Sequence, residues 1–129
     1  MLAEVALEPT LADVACAARV RVEVGCPAGV AVPPAVVRAL AGAVAEALEN
    51  VARHAGVGCA RVDVQQGTGL GGLEVVVADD GAGFCPDRIG PHRFGLALAV
   101  HDRMDAAGGY ALVESAPGRG TVVRLRWPG

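Results

Sequence analysis

The chain has 129 residues, 53% of them hydrophobic and 3% aromatic, with a net charge of −3. That supplies one core and one domain of ordinary size, gives no reason to expect nucleic acid as the main partner, and argues against base-stacking platforms. No apolar run reaches the roughly 20 residues that cross a bilayer, and no charged n-region with a cleavable apolar stretch marks a signal peptide.

All eleven basic residues are arginine, which reads as the composition of a GC-rich coding sequence rather than as chemistry. The cysteines are Cys16, Cys26, Cys59 and Cys85. They form no C-x-x-C pair and no zinc spacing, so free thiols are expected.

In chain order, residues 1–18 form an apolar lead-in, with a short helix starting at Pro9 and Thr10 and running through Leu11, Val14 and Ala18. "RVRVEV", Arg19 to Val24, alternates strictly and predicts a half-buried strand. "GCPAGVAVPP" predicts a loop. From Pro34 to Ala55 comes the longest helical pattern, with proline at its start and Gly56 past its end. Val37, Leu40, Val44, Leu48 and Val51 form its core-facing stripe. Arg61 to Gln66 and Leu73 to Ala78 predict two strands joined by the glycine-rich hairpin loop "GTGLGG". A second helix is expected from Phe94 to Ala107, stopped by Gly108 and Gly109. Two last strands, Tyr110 to Ser115 and Thr121 to Trp127, flank the turn "APGRG". The order predicts an α+β fold with helices on one face of a mixed or antiparallel sheet.

Four stretches carry candidate chemistry. In "VVVADDGAGF" a buried strand ends at Asp79, and Gly81 and Gly83 let backbone approach a flat ring. An ionised carboxylate only accepts hydrogen bonds, so Asp79 would select the amine of adenine over the carbonyl of guanine. By itself the stretch fits an Asp-Gly hairpin equally well. In "EALENVARHAG", Glu46, Asn50 and His54 stand four apart, on one helix face, with Arg53 beside them. The Asn50 oxygen suits Mg²⁺, Glu46 suits proton handling, and Arg53 or His54 suits phosphate. The alternative is a solvated helix face. In "HRFGLALAV", Gly95 would open a helix whose free N–H groups attract anions. In "SAPGRGTVVRLRW", Gly118 and Gly120 make a tight turn, and the Thr121 hydroxyl would face a pocket. Plain helix initiation and a plain hairpin are the alternatives for these last two.

The order and spacing of the four stretches resemble the Bergerat-fold (GHKL) ATPases of the gyrase, Hsp90, histidine kinase and MutL superfamily. The resemblance is closest to the catalytic ATP-binding domain of two-component sensor histidine kinases. "EALENVARHAG" and "SAPGRGTVVRLRW" resemble the actinobacterial branch related to nitrate and degradation sensors. The likeness spans Arg19 to Trp127 and implies a two-layer sandwich, a mixed and mostly antiparallel sheet on about three helices, filling residues 1–129 as one domain. It implies ATP and Mg²⁺ as cofactors. Asp79 would take the adenine amine, with Gly81 and Gly83 against the ring and Thr121 supporting through water. Asn50 would hold the metal, and Glu46 would assist transfer. Gly95 and Leu96 would meet phosphates through their backbone, beside the turn of Gly118 and Gly120. Cys85 to Arg93 would form a lid. Ala97 stands where many such kinases have a second glycine.

The implied activity is transfer of the ATP γ-phosphoryl to a histidine on a separate dimerisation domain, with a response regulator downstream. The implied location is the cytoplasm, whether free or within a membrane-anchored kinase, with no nucleic acid and no membrane contact in this segment. The alternative is a non-catalytic or anti-sigma-type regulator on the same scaffold, acting on a protein partner. Two decoys are set aside. "GTGLGG" precedes Asp79, joins two strands and lacks the P-loop ending. His101-Asp102 mimics a phosphoacceptor pair but lies within the second helix and reads as surface.

Overall fold

The computed structural model describes residues 4–55, 58–67, 72–81 and 91–129, with the backbone alone at 54–55 and 91–96. Among the described residues, seven strands and three α-helices follow one another as β1 (Val5–Ala6), α1 (Leu7–Ala17), β2 (Arg21–Gly25), β3 (Ala31–Val32), α2 (Pro34–Asn50), β4 (Cys59–Gln66), β5 (Leu73–Asp79), α3 (Pro91–Ala106), β6 (Tyr110–Ser115) and β7 (Thr121–Trp127). A five-stranded sheet runs β2-β4-β5-β7-β6. The β2–β4 pair is parallel and the other pairs are antiparallel. The expected α+β sandwich, three helices on a mixed sheet, is what forms.

Alternation decides which face of the sheet is covered. On β5, Leu73, Val75 and Val77 point inward, and on β7, Val123 and Leu125 do. Ala60, Val62 and Val64 of β4 join them. The helices bring Leu40, Val44, Leu48, Val100 and Met104 to the same layer, together with Leu7 and Leu11 of α1. The opposite face carries ion pairs, Arg61 with Glu23 across strands and with Asp63 along its own, and Arg124 with Glu114 and Glu74 on the strands to either side. Charge on that face keeps it in water.

The lead-in and the loop before α2 depart from expectation. The first helix opens at Leu7, ahead of Pro9, which sits in its first turn where a missing N–H costs nothing. The predicted loop contains β3, which pairs with β1 through Val5↔Val32 and Ala6↔Ala31. Two-residue strands leave no alternation to read. "GTGLGG" does close a hairpin: β4 and β5 pair antiparallel, and the Gly67 N–H donates to the Gly72 carbonyl at 3.0 Å.

The predicted helix from Pro34 to Ala55 is two pieces. Regular α-helix ends at Asn50, and Val51–Ala55 continue as a π-helical turn. The i→i+5 pattern underwinds the chain there. His54, expected on the face of Glu46 and Asn50, belongs to this turn, and its side chain lies outside the described residues. The second long helix begins at Pro91, not Phe94. Proline at the first position is its start signal, so Pro91 to Arg93 belong to helix and not to a lid. The remainder of that lid, with Cys85 and Gly83, lies outside the described residues.

Candidate functional site

Three polar side chains are buried among the described residues: Asn50 at 8% exposure, Asp79 at 8% and Thr121 at 6%. Each continues an apolar series. Asp79 follows Leu73, Val75 and Val77 along β5, and Thr121 precedes Val123 and Leu125 along β7. Asn50 extends the buried line Val36, Leu40, Ala43, Ala47 along α2. All three thus enter the layer between sheet and helices, where the pattern alone would put hydrocarbon.

Topology brings them to one end. Asp79 is the register partner of Thr121, and Ser115 is partner of Thr121 from the other side. At the opposite end of the sheet, Leu73 pairs with Trp127 and Tyr110 with Arg126. Helix α3 ends at Ala106 and turns tightly into β6 at Tyr110. Its sixteen residues span about 24 Å at 1.5 Å per residue, so its N-terminus returns to the Asp79 end. Helix α2 runs antiparallel to α3. Ala35, Arg38 and Ala39 lie beside Ala106 and Ala107, while Gly42 and Glu46 meet Arg103. The Asn50 end of α2 therefore falls beside the first half of α3, at the same end as Asp79 and Thr121.

The Asp79 carboxylate is held by backbone. The Gly81 N–H donates to its Oδ1 at 2.7 Å. Burial pushes the Asp79 carboxyl above the ordinary range and the neighbouring Asp80 charge adds to this, while the N–H groups of Gly81 and Thr121 oppose it. The Thr121 hydroxyl lies 3.0 Å from Ser115 Oγ, which also donates to the Gly120 carbonyl at 2.9 Å. Gly120 has φ +76, and a Cβ there would overlap the Asp79 carbonyl oxygen and lie 2.9 Å from its carbon. Only glycine lets the β6–β7 turn come this close to the end of β5. Gly118, at the same φ, faces open space.

Glu46 and Arg53 sit at the rim. Glu46 Oε1 is 3.4 Å from Arg103 Nη2. Arg53 Nε is 2.8 Å from Glu49 Oε1, and Arg19 reaches the same oxygen. Arg53 is thus engaged along its own helix. Since α3 opens at Pro91, Gly95 and Leu96 stand in its second turn. Their amides follow the four that a helix leaves free at its start. Among the described residues no group of three His, Cys, Asp or Glu side chains gathers to hold a metal. His101 and Asp102 are exposed on α3. Cys16, Cys26 and Cys59 are free thiols, with burial and Glu8 raising that of Cys26.

Sequence reasoning passed over three residues. Ser115 was visible only as the position opposite Thr121 in a hairpin. Arg103 and Gly42 had a signal that went unused, a glycine in the interior of α2, which demands a packing reason.

A family model for histidine kinase-, DNA gyrase B-, and HSP90-like ATPases matches residues 35–129. The chain belongs to that family. Solved structures of the same fold include the histidine kinase domain of a blue-light activated histidine kinase from Erythrobacter litoralis EL346, at 22% identity and TM-score 0.71. That match covers 95% of this chain and 58% of the other. Histidine kinase AdeS of Acinetobacter baumannii matches at 16% identity and TM-score 0.75, over 99% of this ATPase-family chain and 68% of its own. Full-length ShkA in complex with AMPPNP matches at 20% identity and TM-score 0.74, over 98% of this chain and 31% of that one. The chain thus spans little more than half of the first of these and about a third of the last. A comparison with curated proteins finds no match. No helix among the described residues is long and apolar enough to cross a membrane.

Proposed function

We propose that this ATPase-family chain is the Mg-ATP-binding catalytic domain of a two-component sensor histidine kinase. In this reading the adenine ring enters the interlayer space at the Asp79 end. Asp79 accepts from the exocyclic amine, Gly81 and Gly83 pass close to the ring, and Thr121 lies alongside. The oxygen of Asn50, a hard donor, holds Mg²⁺ together with phosphate oxygens. Glu46 assists the transfer. The opening turn of α3, with Gly95 and Leu96 just behind it, faces the phosphates, as does the turn containing Gly118 and Gly120. Arg53 and His54 flank this region on the π-helical turn. The γ-phosphoryl passes to a histidine on a separate dimerisation domain and from there to a response regulator. Such transfer asks mainly for positioning and charge neutralisation.

The observation that carries the reading is the gathering of Asn50, Asp79 and Thr121, the buried polar side chains, at one end of an otherwise apolar interlayer. The AMPPNP complex of ShkA, a protein of the same fold, is consistent with it. The test is thermal unfolding with and without Mg-ATP. A native-state ligand at a hundredfold excess over its Kd adds about 2.7 kcal/mol of stability. Asn50→Ala is expected to remove the magnesium-dependent part of that gain. An unchanged melting point of the wild-type chain in saturating Mg-ATP would refute nucleotide binding. Labelled ATP with helical phosphoacceptor domains then tests transfer, with an acid-labile label expected. An acid-stable label on serine would instead identify an anti-sigma-type kinase.

A further inference from the structure

We propose that Arg103 is a positioning residue for Glu46, seated by the glycine at position 42; the inference rests on the kinase reading above. Gly42, Glu46 and Asn50 follow one another at four-residue steps on α2, so they share the line that faces α3. Arg103, in the last turn of α3, crosses that line. A Cβ on Gly42 would lie 2.5 Å from Arg103 Nη1, 3.0 Å from Cζ and 3.1 Å from Cδ. The arginine side chain therefore occupies the space a Cβ on Gly42 would fill, and its Nη2 reaches Glu46 Oε1 at 3.4 Å.

Each part explains another. Glycine inside a helix loses to alanine on conformational grounds, and here it clears the space an arginine needs. The planar, always-charged guanidinium gives Glu46 a fixed cationic neighbour, which a flexible lysine would do less well. Glu46 stands one turn before Asn50, so fixing its carboxylate fixes the acid relative to the proposed metal ligand. The arginine touches neither nucleotide nor metal in this scheme and acts through Glu46. Because it belongs to α3, it also ties the acid to the helix whose first turn faces the phosphates.

The obstruction at Gly42 is a flexible side chain and not backbone. Gly42→Ala will thus keep α2 intact while pushing the guanidinium aside. The test uses the full chain with Mg²⁺, [γ-³²P]ATP and added helical phosphoacceptor domains, and follows γ-phosphoryl transferred to acceptor or released to water. Gly42→Ala and Arg103→Gln are expected to slow turnover of bound ATP about tenfold or more, as misplacing a reacting group does. The Kd for Mg-ATP should stay within about twofold, the mark of an interaction that acts on the chemical step. The melting point of Gly42→Ala should equal or exceed that of wild type. Arg103→Lys should recover part of the rate. In a Glu46→Gln background, Gly42→Ala should cost nothing further. Turnover by Gly42→Ala and Arg103→Gln at the wild-type rate would overturn the inference, and so would a full additional loss in the Glu46→Gln background. A wild-type chain that binds Mg-ATP yet turns none over with any acceptor would instead refute the kinase reading on which the inference rests.

Discussion

Gly120→Ala and Gly118→Ala make a matched pair. Both glycines have φ +76, in the left-handed region. That conformation costs an alanine about 1–2 kcal/mol. The stiffer unfolded chain returns about 0.4–1 kcal/mol. Gly118 has nothing within reach of an added Cβ, so its net loss stays below about 1.6 kcal/mol on these two contributions. Gly120 meets the Asp79 carbonyl group and lies 3.0 Å from the Asp80 Cα, backbone that cannot swing aside. Forcing a methyl group into such a contact adds about 1–3 kcal/mol. The two variants should therefore differ by about that amount, a gap of roughly 3–15 °C in melting temperature for a domain of this size. Thermal unfolding by circular dichroism without nucleotide measures it. A repeat in Mg-ATP should show the smaller ligand-induced rise for Gly120→Ala, because the displaced backbone carries Asp79. Equal melting points for the two variants would refute the close approach of the β6–β7 turn to the end of β5.

Asp79→Asn should separate stability from recognition. Burial raises the Asp79 carboxyl, so the folded state favours its protonated form. The stabilising contribution is complete below the unfolded value of about 3.9 and is lost as pH rises through the higher folded value. At neutral pH, without nucleotide, the Asp79→Asn variant is expected to melt at or above wild type. Wild type should gain on it as pH falls across that window, while Mg-ATP protects the variant less. A wild type that loses ground to the variant on acidification would show the shift to have the opposite sign. Leu11→Ala removes a fully buried side chain of α1 and should cost about 2–5 kcal/mol, measured by urea unfolding. A loss under about 1 kcal/mol would mean that α1 is not part of the core.

The sheet was legible because its strands alternate over five to eight residues. Val62 and Val64 against Arg61 and Asp63 is a pattern with one reading, whereas the apolar run from Val75 to Ala78 is marked as a strand by its short length and the glycines around it. The stripe from Val37 to Val51 was equally plain, since every member is buried. What escaped notice was short or irregular. β1 and β3 hold two residues each, too few for periodicity. The π-helical turn at Val51–Ala55 leaves no mark in composition, because alanine, valine and arginine serve α-helix as well. The start of α3 was misjudged for a definite reason. Gly95 reads as an opener, yet Pro91, the stronger signal, stands four residues earlier. In the candidate site, Asp79 and Thr121 could be singled out separately, but their pairing across β5 and β7 is a fact of register. Arg119, Arg124 and Arg126 look alike in sequence, and so does Arg103; only the fold puts one of them over a glycine.

Asn50, Asp79 and Thr121 make a polar break in the otherwise apolar layer between helices and sheet. Valines or leucines at those three places would close it and make the domain more robust. In the proposed reading, a flat guest with one amine edge would meet the same groups from outside, as a missing stone completes an arch. Folding strength would then be coupled to occupancy, and the durability of the domain would rise and fall with the supply of the molecule it is proposed to hold.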